Sequence, residues 1–335
     1  MDISDFSVFP MQWGVKPAEA QEMVEVAVHA EELGFYSVTI PHVPILYYGH
    51  ERPPDGFVWA HFPPEYKDYQ HDSLVLLPMI AQATSRIKIG FNVAVTPWLH
   101  PFVWAKYLAS LDAATQGRVI AGFGLGAVAP GKPSKALHSL GIEGKRGEMS
   151  DEALDIIMRL WTEDEPLSFD GKYHKGIDLV VEPKPTQKPH PEFWWAGLAK
   201  AGARRAAQYG GMLEVTWPSL RRVREELAPN HTAANEKYGG DSRLGILMYA
   251  NLMDGGDMSA EDLSRHYFGW QGEALDPIAA GSPERCAEVL GNYRDAGIEH
   301  FVLDLHRHGL DHVNHMHDQM ERFANEVVPM MNRNG

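Results

Sequence analysis

His42 is the residue whose type and position most directly suggest chemistry. It closely follows the apolar stretch Tyr36–Ile40, which has the composition of a short buried strand. An imidazole at the end of such a strand can exchange protons near neutral pH. A histidine that merely hydrogen-bonds a neighbouring loop is the alternative interpretation.

Two further sets of candidates have small or amide side chains. The first ends the apolar stretch 87–95 and consists of Asn92, Val93, Ala94 and Thr96. The second follows the stretch that begins at Val119 and consists of Gly122, Gly124 and Gly126. Glycine lets a backbone approach a flat ligand without side-chain obstruction. The second set therefore predicts the close approach of a flat ligand, and the small or amide side chains of the first set suit close approach as well. Ordinary packing of strand ends is the alternative for both sets.

The sequence WAGLAKAGARRAAQ (195–208) joins an apolar stretch to a helix. The first turn of a helix has N–H groups without intrahelical acceptors and a dipole that favours anions. We therefore predict an anion site at Gly197, Ala199 and Lys200. Lys200, Arg204 or Arg146 could add positive charge, but Arg204 and Arg205 are equally consistent with solvated helix charges.

These candidates are separated by a regular alternation of predicted strands and helices. Strands are predicted at 7–11, 36–40, 87–95, 119–124, 193–196, 212–215, 244–252 and 300–305. Helices are predicted at 17–33, 73–83, 101–114, 150–161, 200–209, 220–238, 283–296 and 311–331. Eight strands alternating with eight helices indicate a closed (β/α)₈ barrel that forms a single domain over residues 1–335.

Three insertions interrupt the repeat, at 43–71, 167–191 and 254–281. We expect all three on strand-to-helix connections, where barrel enzymes build their active sites. The first insertion is rich in aromatic residues that include Tyr47, Trp59 and Phe62. Such a segment must bury against something, and we favour a lid over an apolar or aromatic substrate. A subunit interface is the alternative, and we expect a homo-oligomer.

Composition excludes several classes of protein. The 335 residues contain 30 Lys and Arg against 45 Asp and Glu, so the net charge of −15 disfavours nucleic-acid binding. No apolar run reaches the length of a membrane span. Cys286 is the single cysteine, and the first residues lack the pattern of a secretory signal. We therefore expect a cytoplasmic protein with no nucleic-acid or membrane partner.

Two other motifs are set aside. GFGLG (122–126) lacks the third glycine of a dinucleotide-binding fingerprint and follows the fourth predicted strand. Five histidines lie between 306 and 317, but no zinc-binding spacing accompanies them, so we predict no metal site. His306 and Arg307 follow the last strand and are candidates for contact with substrate or with a cofactor phosphate.

Four segments, in this order, resemble the bacterial luciferase-like monooxygenase superfamily. They are AEELGFYSVTIPH, ending at His42; RIKIGFNVAVTP with the region through LDAATQGRVIAGFGLG, ending at Gly126; RGEMSDEALDIIMRLW, starting at Arg146; and GSPERCAEVLGNYRDAGIEHFVL, ending at Leu303. Each segment alone is weak evidence. Their order, and the matching elements between them, extend the resemblance over nearly the whole chain and imply a flavin enzyme with a barrel fold.

The resemblance assigns roles to the candidate residues. It implies that His42 lies beside the flavin ring, that the segment 92–96 lines one face of it, and that Asn92–Val93 is a cis peptide bond. It also implies that the turn at Gly197 holds the cofactor phosphate. Pro41 replaces the usual acidic residue before the histidine, Ala199 replaces a serine, and the GFGLGAV turn lacks an arginine that some relatives use for the phosphate.

A cofactor that performs the redox chemistry requires no side-chain nucleophile, and no nucleophile elbow or P-loop is present. We expect an enzyme that uses reduced FMN and O₂ to oxygenate a small organic substrate, with the flavin supplied by a separate reductase. Hydride transfer with the deazaflavin coenzyme F420 is the alternative. A non-catalytic flavin-binding barrel is an alternative of another class.

Overall fold

A computed structural model describes residues 1–10, 18–42, 71–126, 135–253, 278–305 and 312–333. Within these ranges the first strands are β1 (Phe6–Val8), β2 (Ser37–His42), β3 (Lys88–Val95) and β4 (Val119–Gly124). A two-stranded hairpin follows, β5 (Leu167–Asp170) and β6 (Lys175–Leu179). The remaining strands are β7 (Glu192–Ala196), β8 (Met212–Thr216), β9 (Arg243–Leu252), β10 (Ile278–Gly281) and β11 (His300–Asp304).

Eight of these strands form a closed parallel barrel in the order β1, β2, β3, β4, β7, β8, β9, β11. The ring is closed by the pairing of β11 with β1, in which Phe6 lies opposite Phe301. The short strand β10 extends the wall beside the second half of β9, where Ile278 lies opposite Tyr249. The predicted (β/α)₈ barrel and its eight strands are therefore confirmed.

Helices connect the strands, and most lie within a few residues of their predicted bounds. They are Ala20–Leu33, Ser73–Ala83, Pro101–Ala114, Lys135–Ser139, Arg146–Thr162, Lys200–Tyr209, Leu220–Arg222, Ala228–Tyr238, Pro283–Arg294, His312–Arg322 and Val328–Arg333. Local signals explain several boundaries. Asp72 caps Ser73–Ala83 by accepting from the N–H of Leu74, and Gly34 ends the first helix at φ +89°.

Side chains alternate between the two faces of the barrel wall. Those of the helix-facing side form the main core, to which Leu213 and Val215 of β8 belong. A separate apolar cluster fills the barrel interior and consists of Phe9, Ile120, Trp194, Met212, Leu247 and Val302. The barrel is therefore a packed core and not a pore. Among the described helices, none is long and apolar enough to cross a membrane.

The amino end of the barrel is closed by polar contacts around Glu192, whose side chain is 12% exposed. Its carboxylate accepts hydrogen bonds from Tyr36 Oη (2.5 Å), Trp194 Nε1 (2.8 Å) and Arg243 Nη2 (3.0 Å). Lys88 forms an ion pair with the same carboxylate. Burial alone would raise the pKa of Glu192, but Lys88, Tyr36 and Trp194 lower it below its ordinary value.

One insertion lies elsewhere than predicted. Residues 167–191 follow helix Arg146–Thr162 and precede β7, so the expectation of a strand-to-helix connection is wrong for this segment. Its hairpin packs outside the barrel, where Glu152 accepts from the N–H groups of Lys172 and His174. Farther along, Gln187 binds Val119, the first residue of β4, at the amino end. The prediction placed the segment after the fourth strand without allowing for the intervening helix.

Replacing Glu192 by Ala should lower stability by about 3 kcal/mol, because Lys88 and Arg243 would remain partly buried without their counter-charge. The thermal-unfolding midpoint measures this loss. Since the folded-state pKa of Glu192 is lowered, its stabilising effect is present above the unfolded-state pKa and disappears as the pH falls through the folded-state value. The difference between variant and wild type should therefore shrink in acid.

The matched control is Glu163→Ala, which removes a surface carboxylate paired with Arg159. Exposed pairs of this kind contribute roughly 0–1 kcal/mol. Equal losses for the two variants at neutral pH would contradict the proposed importance of the Glu192 contacts.

Candidate functional site

The sequence candidates converge on one part of the carboxyl rim. His42 ends β2, residues 92–96 end β3, Gly124 ends β4, and Gly197 follows β7. These four strands are consecutive neighbours in the barrel, so their carboxyl ends are adjacent. Residues separated by more than 150 positions in the chain therefore lie along one continuous segment of the rim, where barrel enzymes place their active sites.

The end of β3 departs from regular strand geometry. The peptide bond between Asn92 and Val93 is cis, in agreement with the resemblance. The pairing of β3 with β4 shifts register between Gly90 and Ala94, which is the signature of a bulge. Gly124 fits closely against this bulge: a Cβ atom at Gly124 would lie 2.8 Å from Cγ2 of Val93.

His42 lies in an aromatic environment and is 2% exposed. Its ring packs edge-on against Trp104 (centroids 5.1 Å apart) and Phe91 (5.5 Å), and it is tilted against Trp98 (6.0 Å). Phe91 and Trp104 belong to the core between strands and helices. The imidazole therefore lies at the outer side of the rim and not among the side chains of the barrel interior.

Burial keeps this histidine neutral. It lowers the pKa of His42 to about 4, although Asp72 opposes the shift. Nε2 of His42 lies 3.8 Å from Oδ1 of Asp72, and neither ring nitrogen has a hydrogen-bond partner among the described residues. Pro41, the residue before His42, has no carboxylate, but Asp72 places one near the imidazole. A neutral imidazole with unpartnered nitrogens can accept or donate a hydrogen bond.

Asn92 is oriented from across the barrel. Its Nδ2 donates to Oε2 of Glu214 at 2.5 Å, although β3 and β8 are not neighbours in the sheet. Glu214 is 1% exposed. Burial raises the pKa of Glu214 to about 8, whereas Asn92 and Thr216 favour the ionised form. A carboxyl group with such a pKa is largely protonated at neutral pH.

The strand ends next to the bulge are held by further hydrogen bonds. Thr96 Oγ1 donates to the carbonyl of Gly124 at 3.1 Å, and Trp104 Nε1 donates to the carbonyl of Thr96 at 3.1 Å. Gly126 has φ +75°, a conformation that favours glycine. Arg146 donates to the carbonyl of Gly126 at 3.0 Å. Arg146 thus supports the turn after β4 with part of its guanidinium group.

The turn after β7 offers fewer free amides than the sequence suggested. Gly197 donates its N–H to the carbonyl of Glu214 at 2.9 Å, so this group is already used. Ala199 is the N-cap of helix Lys200–Tyr209 and supplies no side-chain cap. The first N–H of the helix with an intrahelical bond is that of Gly202, which donates to the carbonyl of Ala199 at 2.8 Å. The N–H groups of Ala199, Lys200 and Ala201 precede it and can bind an anion.

Arg204 and Arg205 have other partners. Arg204 binds both carboxylate oxygens of Asp151, at 2.7 and 2.8 Å. Arg205 binds Asp151 at 2.8 Å, and its guanidinium stacks over the ring of Trp195 at 4.4 Å. Lys200 is exposed at the start of the helix. Of the cations considered from the sequence, Lys200 is thus the best placed to reach an anion at this turn.

Several predicted contacts lie outside the described residues. They are Tyr47, Trp59 and Phe62 of the aromatic insertion, and His306 and Arg307 after the last strand. The lid and the subunit interface therefore both remain predictions for the insertion 43–71.

Two residues of the rim were not among the sequence candidates. Glu214 was predicted to lie in a strand, but no role was assigned to it. Its signal in the sequence is a charged residue inside the apolar run MLEV (212–215), since a carboxylate is rarely buried without a specific reason. Asp72 shows the sequence pattern of a helix cap, which gives no indication that it also lies near His42.

The structure is a closed parallel barrel with a bulged β3 and candidate groups along one carboxyl rim, which is the architecture of barrel enzymes. The family model of luciferase-like monooxygenases matches residues 3–270, and the chain belongs to this family. The family's members among the relatives are oxidoreductases and monooxygenases. The predicted family membership and the prediction of an enzyme are thereby confirmed.

Relatives in this family include two kinds of enzyme. An F420-dependent glucose-6-phosphate dehydrogenase from Kineococcus radiotolerans is 31% identical, over 96% of this chain and 97% of its own. An FMNH₂-dependent dimethylsulfone monooxygenase from Pseudomonas putida is 31% identical, but over 42% of this chain and 38% of its own. The monooxygenase RslO1 from Streptomyces bottropensis has the same fold, with a TM-score of 0.76, 20% identity and coverage of 98% and 99% of the two chains.

Replacing Gly124 by Ala should disturb the bulge, because its Cβ would meet the rigid Val93 side chain at 2.8 Å. Overpacking of this kind costs about 1–3 kcal/mol. Gly291, within helix Pro283–Arg294, provides the control, because a Cβ atom added there would meet nothing within 4 Å. Gly291→Ala should stabilise the protein by about 0.5–1 kcal/mol. Thermal unfolding compares the two variants, and a Gly124→Ala protein as stable as Gly291→Ala would refute the close fit.

Proposed function

We propose that this protein is a flavin-dependent monooxygenase that uses reduced FMN and O₂ to oxygenate a small organic substrate at the carboxyl rim. A separate reductase would supply the reduced flavin. The observation that carries the proposal is the juxtaposition, along β2, β3, β4 and β7, of a bulged strand, a glycine-lined strand end and a helix N-terminus.

The chemistry of these groups suits a planar ring that carries one phosphate. Small residues at β3 and β4 permit the close approach of a flat ring. The first amides of helix Lys200–Tyr209 suit an anion, and Lys200 adds a positive charge. His42 and Glu214 supply polar groups that have unpartnered atoms among the described residues. Bound there, reduced FMN would supply the electrons that activate oxygen.

Charge favours FMN over the deazaflavin coenzyme F420. Both carry a phosphate, but the deazaflavin has an additional glutamyl tail with several carboxylates. Near the predicted phosphate turn, Arg204 and Arg205 bind Asp151, and Arg146 binds main-chain carbonyls. Lys200 is therefore the main cation that these described residues leave for an anion. One available cation suits a single phosphate better than a tail with several negative charges.

Deazaflavin-dependent hydride transfer is the second candidate. It is supported by the F420-dependent glucose-6-phosphate dehydrogenase relative, whose similarity extends over nearly the full length of both chains. The similarity to the FMNH₂-dependent relative covers a much smaller part. In this alternative a neutral His42 could accept a proton from an alcohol substrate.

Anaerobic titration of the protein with reduced FMN, oxidised FMN and coenzyme F420, followed by absorbance and fluorescence, tests the proposal. We expect reduced FMN to bind most tightly, and an oxygenated product to form from a suitable substrate when a flavin reductase and O₂ are present. Preferred binding of coenzyme F420 would establish the second candidate instead. Tight flavin binding without turnover over a broad panel of substrates would indicate a non-catalytic flavin-binding barrel.

His42→Ala should reduce turnover by about 10²- to 10⁴-fold while changing cofactor affinity little, because a proton-managing group acts mainly on the rate. The control is His231→Ala, which removes a buried histidine that hydrogen-bonds Ser242 at 3.0 Å, far along the chain from the rim strands β2 and β3. Rate and affinity are measured separately for both variants. Turnover of His42→Ala within a few-fold of wild type would show that this histidine is structural.

A further inference from the structure

The carboxyl ends of β8 and β9 form the wall of the mouth that faces the candidate site. In the ring of eight strands, β8 is four places from β2 and β9 is four places from β3, so these strands lie across the barrel from one another. The hydrogen bond from Asn92 on β3 to Glu214 on β8 spans the interior between the two walls. A ligand held along β2, β3 and β4 therefore faces the residues at the ends of β8 and β9.

Trp217, the first residue after β8, has an unusual backbone conformation. Its φ is +48°, in the left-handed region that residues with a large side chain rarely adopt. Trp217 also precedes Pro218, whose ring restricts the preceding residue further. Strained conformations of this kind persist only where the surrounding structure enforces them, and they are concentrated at functional sites.

Hydrogen bonds on both sides of Trp217 hold this conformation. Its own N–H donates to the carbonyl of Leu247 on β9 at 3.1 Å. The carbonyl of the next residue, Pro218, accepts from Tyr293 Oη at 2.8 Å. The turn is therefore fixed by β9 on one side and by the helix that carries Tyr293 on the other. The direction of the Trp217 side chain is fixed with it.

This turn places the indole over the barrel interior. The Trp217 side chain packs against the interior cluster that contains Met212 and Leu247. It also stacks on Tyr249 of β9, with ring centroids 5.3 Å apart and planes inclined by 13°. Tyr249 and Ile278, which belong to the same aromatic cluster, are 2% and 3% exposed, whereas Trp217 is half-buried. The indole is therefore the part of this cluster that a ligand in the mouth can reach.

A half-buried indole on a rigid support offers a flat apolar surface to the mouth. Aromatic rings stack on such a surface in offset geometry, and the attraction exceeds that expected from the buried apolar area. A saturated ring of the same size gains only the contribution of the buried area. The surface therefore favours planar aromatic ligands over saturated ones.

We propose that Trp217 determines the substrate specificity of this site, and that the substrate is a planar aromatic compound that stacks on its indole. The inference rests on the proposed function, because it gives the substrate class of the same rim. Tyr249 supports the indole on the other side and maintains its orientation.

Two probes of similar size separate stacking from simple apolar contact. 2-Naphthol is planar, and decahydro-2-naphthol is a saturated compound with the same hydroxyl group. Equilibrium dialysis with the purified protein measures both dissociation constants. We expect wild type to bind 2-naphthol about threefold to tenfold more tightly, which is the affinity that aromatic stacking adds. Equal affinities for the two probes would overturn the proposal.

Trp217→Leu keeps an apolar side chain and removes the flat surface. This variant should bind both probes with equal affinity, whereas Trp217→Phe should retain part of the preference for 2-naphthol. The matched control is Tyr238→Leu, which removes an aromatic side chain that is 38% exposed at the end of an outer helix. The control should keep the full preference. A preference that persists unchanged in Trp217→Leu would overturn the role of Trp217.

The NMR signals of the indole Nε1–H groups show where the probe binds and whether each variant is folded. The chain has nine tryptophans, and the signal of Trp217 is the one that is missing in Trp217→Leu or Trp217→Phe, so either variant assigns it. In wild type this signal should shift on addition of 2-naphthol, because the ring current of a stacked probe acts on it. Unchanged positions of the other indole signals verify that a variant is folded. A Trp217 signal that does not move at saturating 2-naphthol would overturn the proposal.

The probes bind without cofactor, which separates this proposal from the proposed function. If neither FMN nor coenzyme F420 binds but 2-naphthol shifts the Trp217 signal, the proposed function is wrong and the aromatic site is established. If reduced FMN binds and a saturated substrate is oxygenated equally well by wild type and Trp217→Leu, the proposed function holds and the role of Trp217 is overturned.

Discussion

The parallel pairing of eight strands in a closed ring is the constraint on which the rest of the structure depends. Parallel strands that close into a barrel must place all their carboxyl ends at one rim, whatever the distance between them in the chain. His42, Asn92, Gly124 and Gly197 are neighbours for this reason, since β2, β3, β4 and β7 are consecutive in the ring. Local sequence determines which residue lies at each strand end, and ring closure determines which of these residues are neighbours.

The interior of the ring changes in character from one end to the other. At the amino end Glu192 is surrounded by Tyr36, Lys88 and Arg243, so its charge is balanced. Apolar side chains such as Met212 fill the middle. Toward the carboxyl end Glu214 is buried with a neutral amide as its partner. At the amino end, neighbouring cations balance the charge of Glu192 and stabilise the barrel. At the carboxyl end, Glu214 is buried without a counter-charge, which favours its neutral form and makes its protonation sensitive to its surroundings.

Much of this architecture could be predicted from sequence because the signals are local. Apolar runs such as 119–124 predicted most strand bounds closely. In the structure, the side chains of Asp72 and Ser282 cap the helices that begin at Ser73 and Pro283, close to their predicted starts. The contact between Asn92 and Glu214 has no local signal, since it joins strands that are not neighbours and are separated by more than 100 residues. The environment of His42 depends likewise on Trp104 from a distant helix. The insertion 167–191 was misplaced although the predicted bounds already set it between the helix at 150–161 and the strand at 193–196, because it was assigned to the preceding strand without regard to that helix.

The pairing of β10 has a consequence for how this chain can change in evolution. The chain leaves the wall at Leu252, the end of β9, and returns at Ile278, which pairs with Tyr249 of the same strand. The 25 residues between these two points therefore begin at the end of β9 and finish beside the same strand. Their number can therefore grow or shrink without altering ring closure, because the entropic cost of closing a connection increases only slowly with its length. Diversification of this rim by insertion and deletion is compatible with an unchanged barrel.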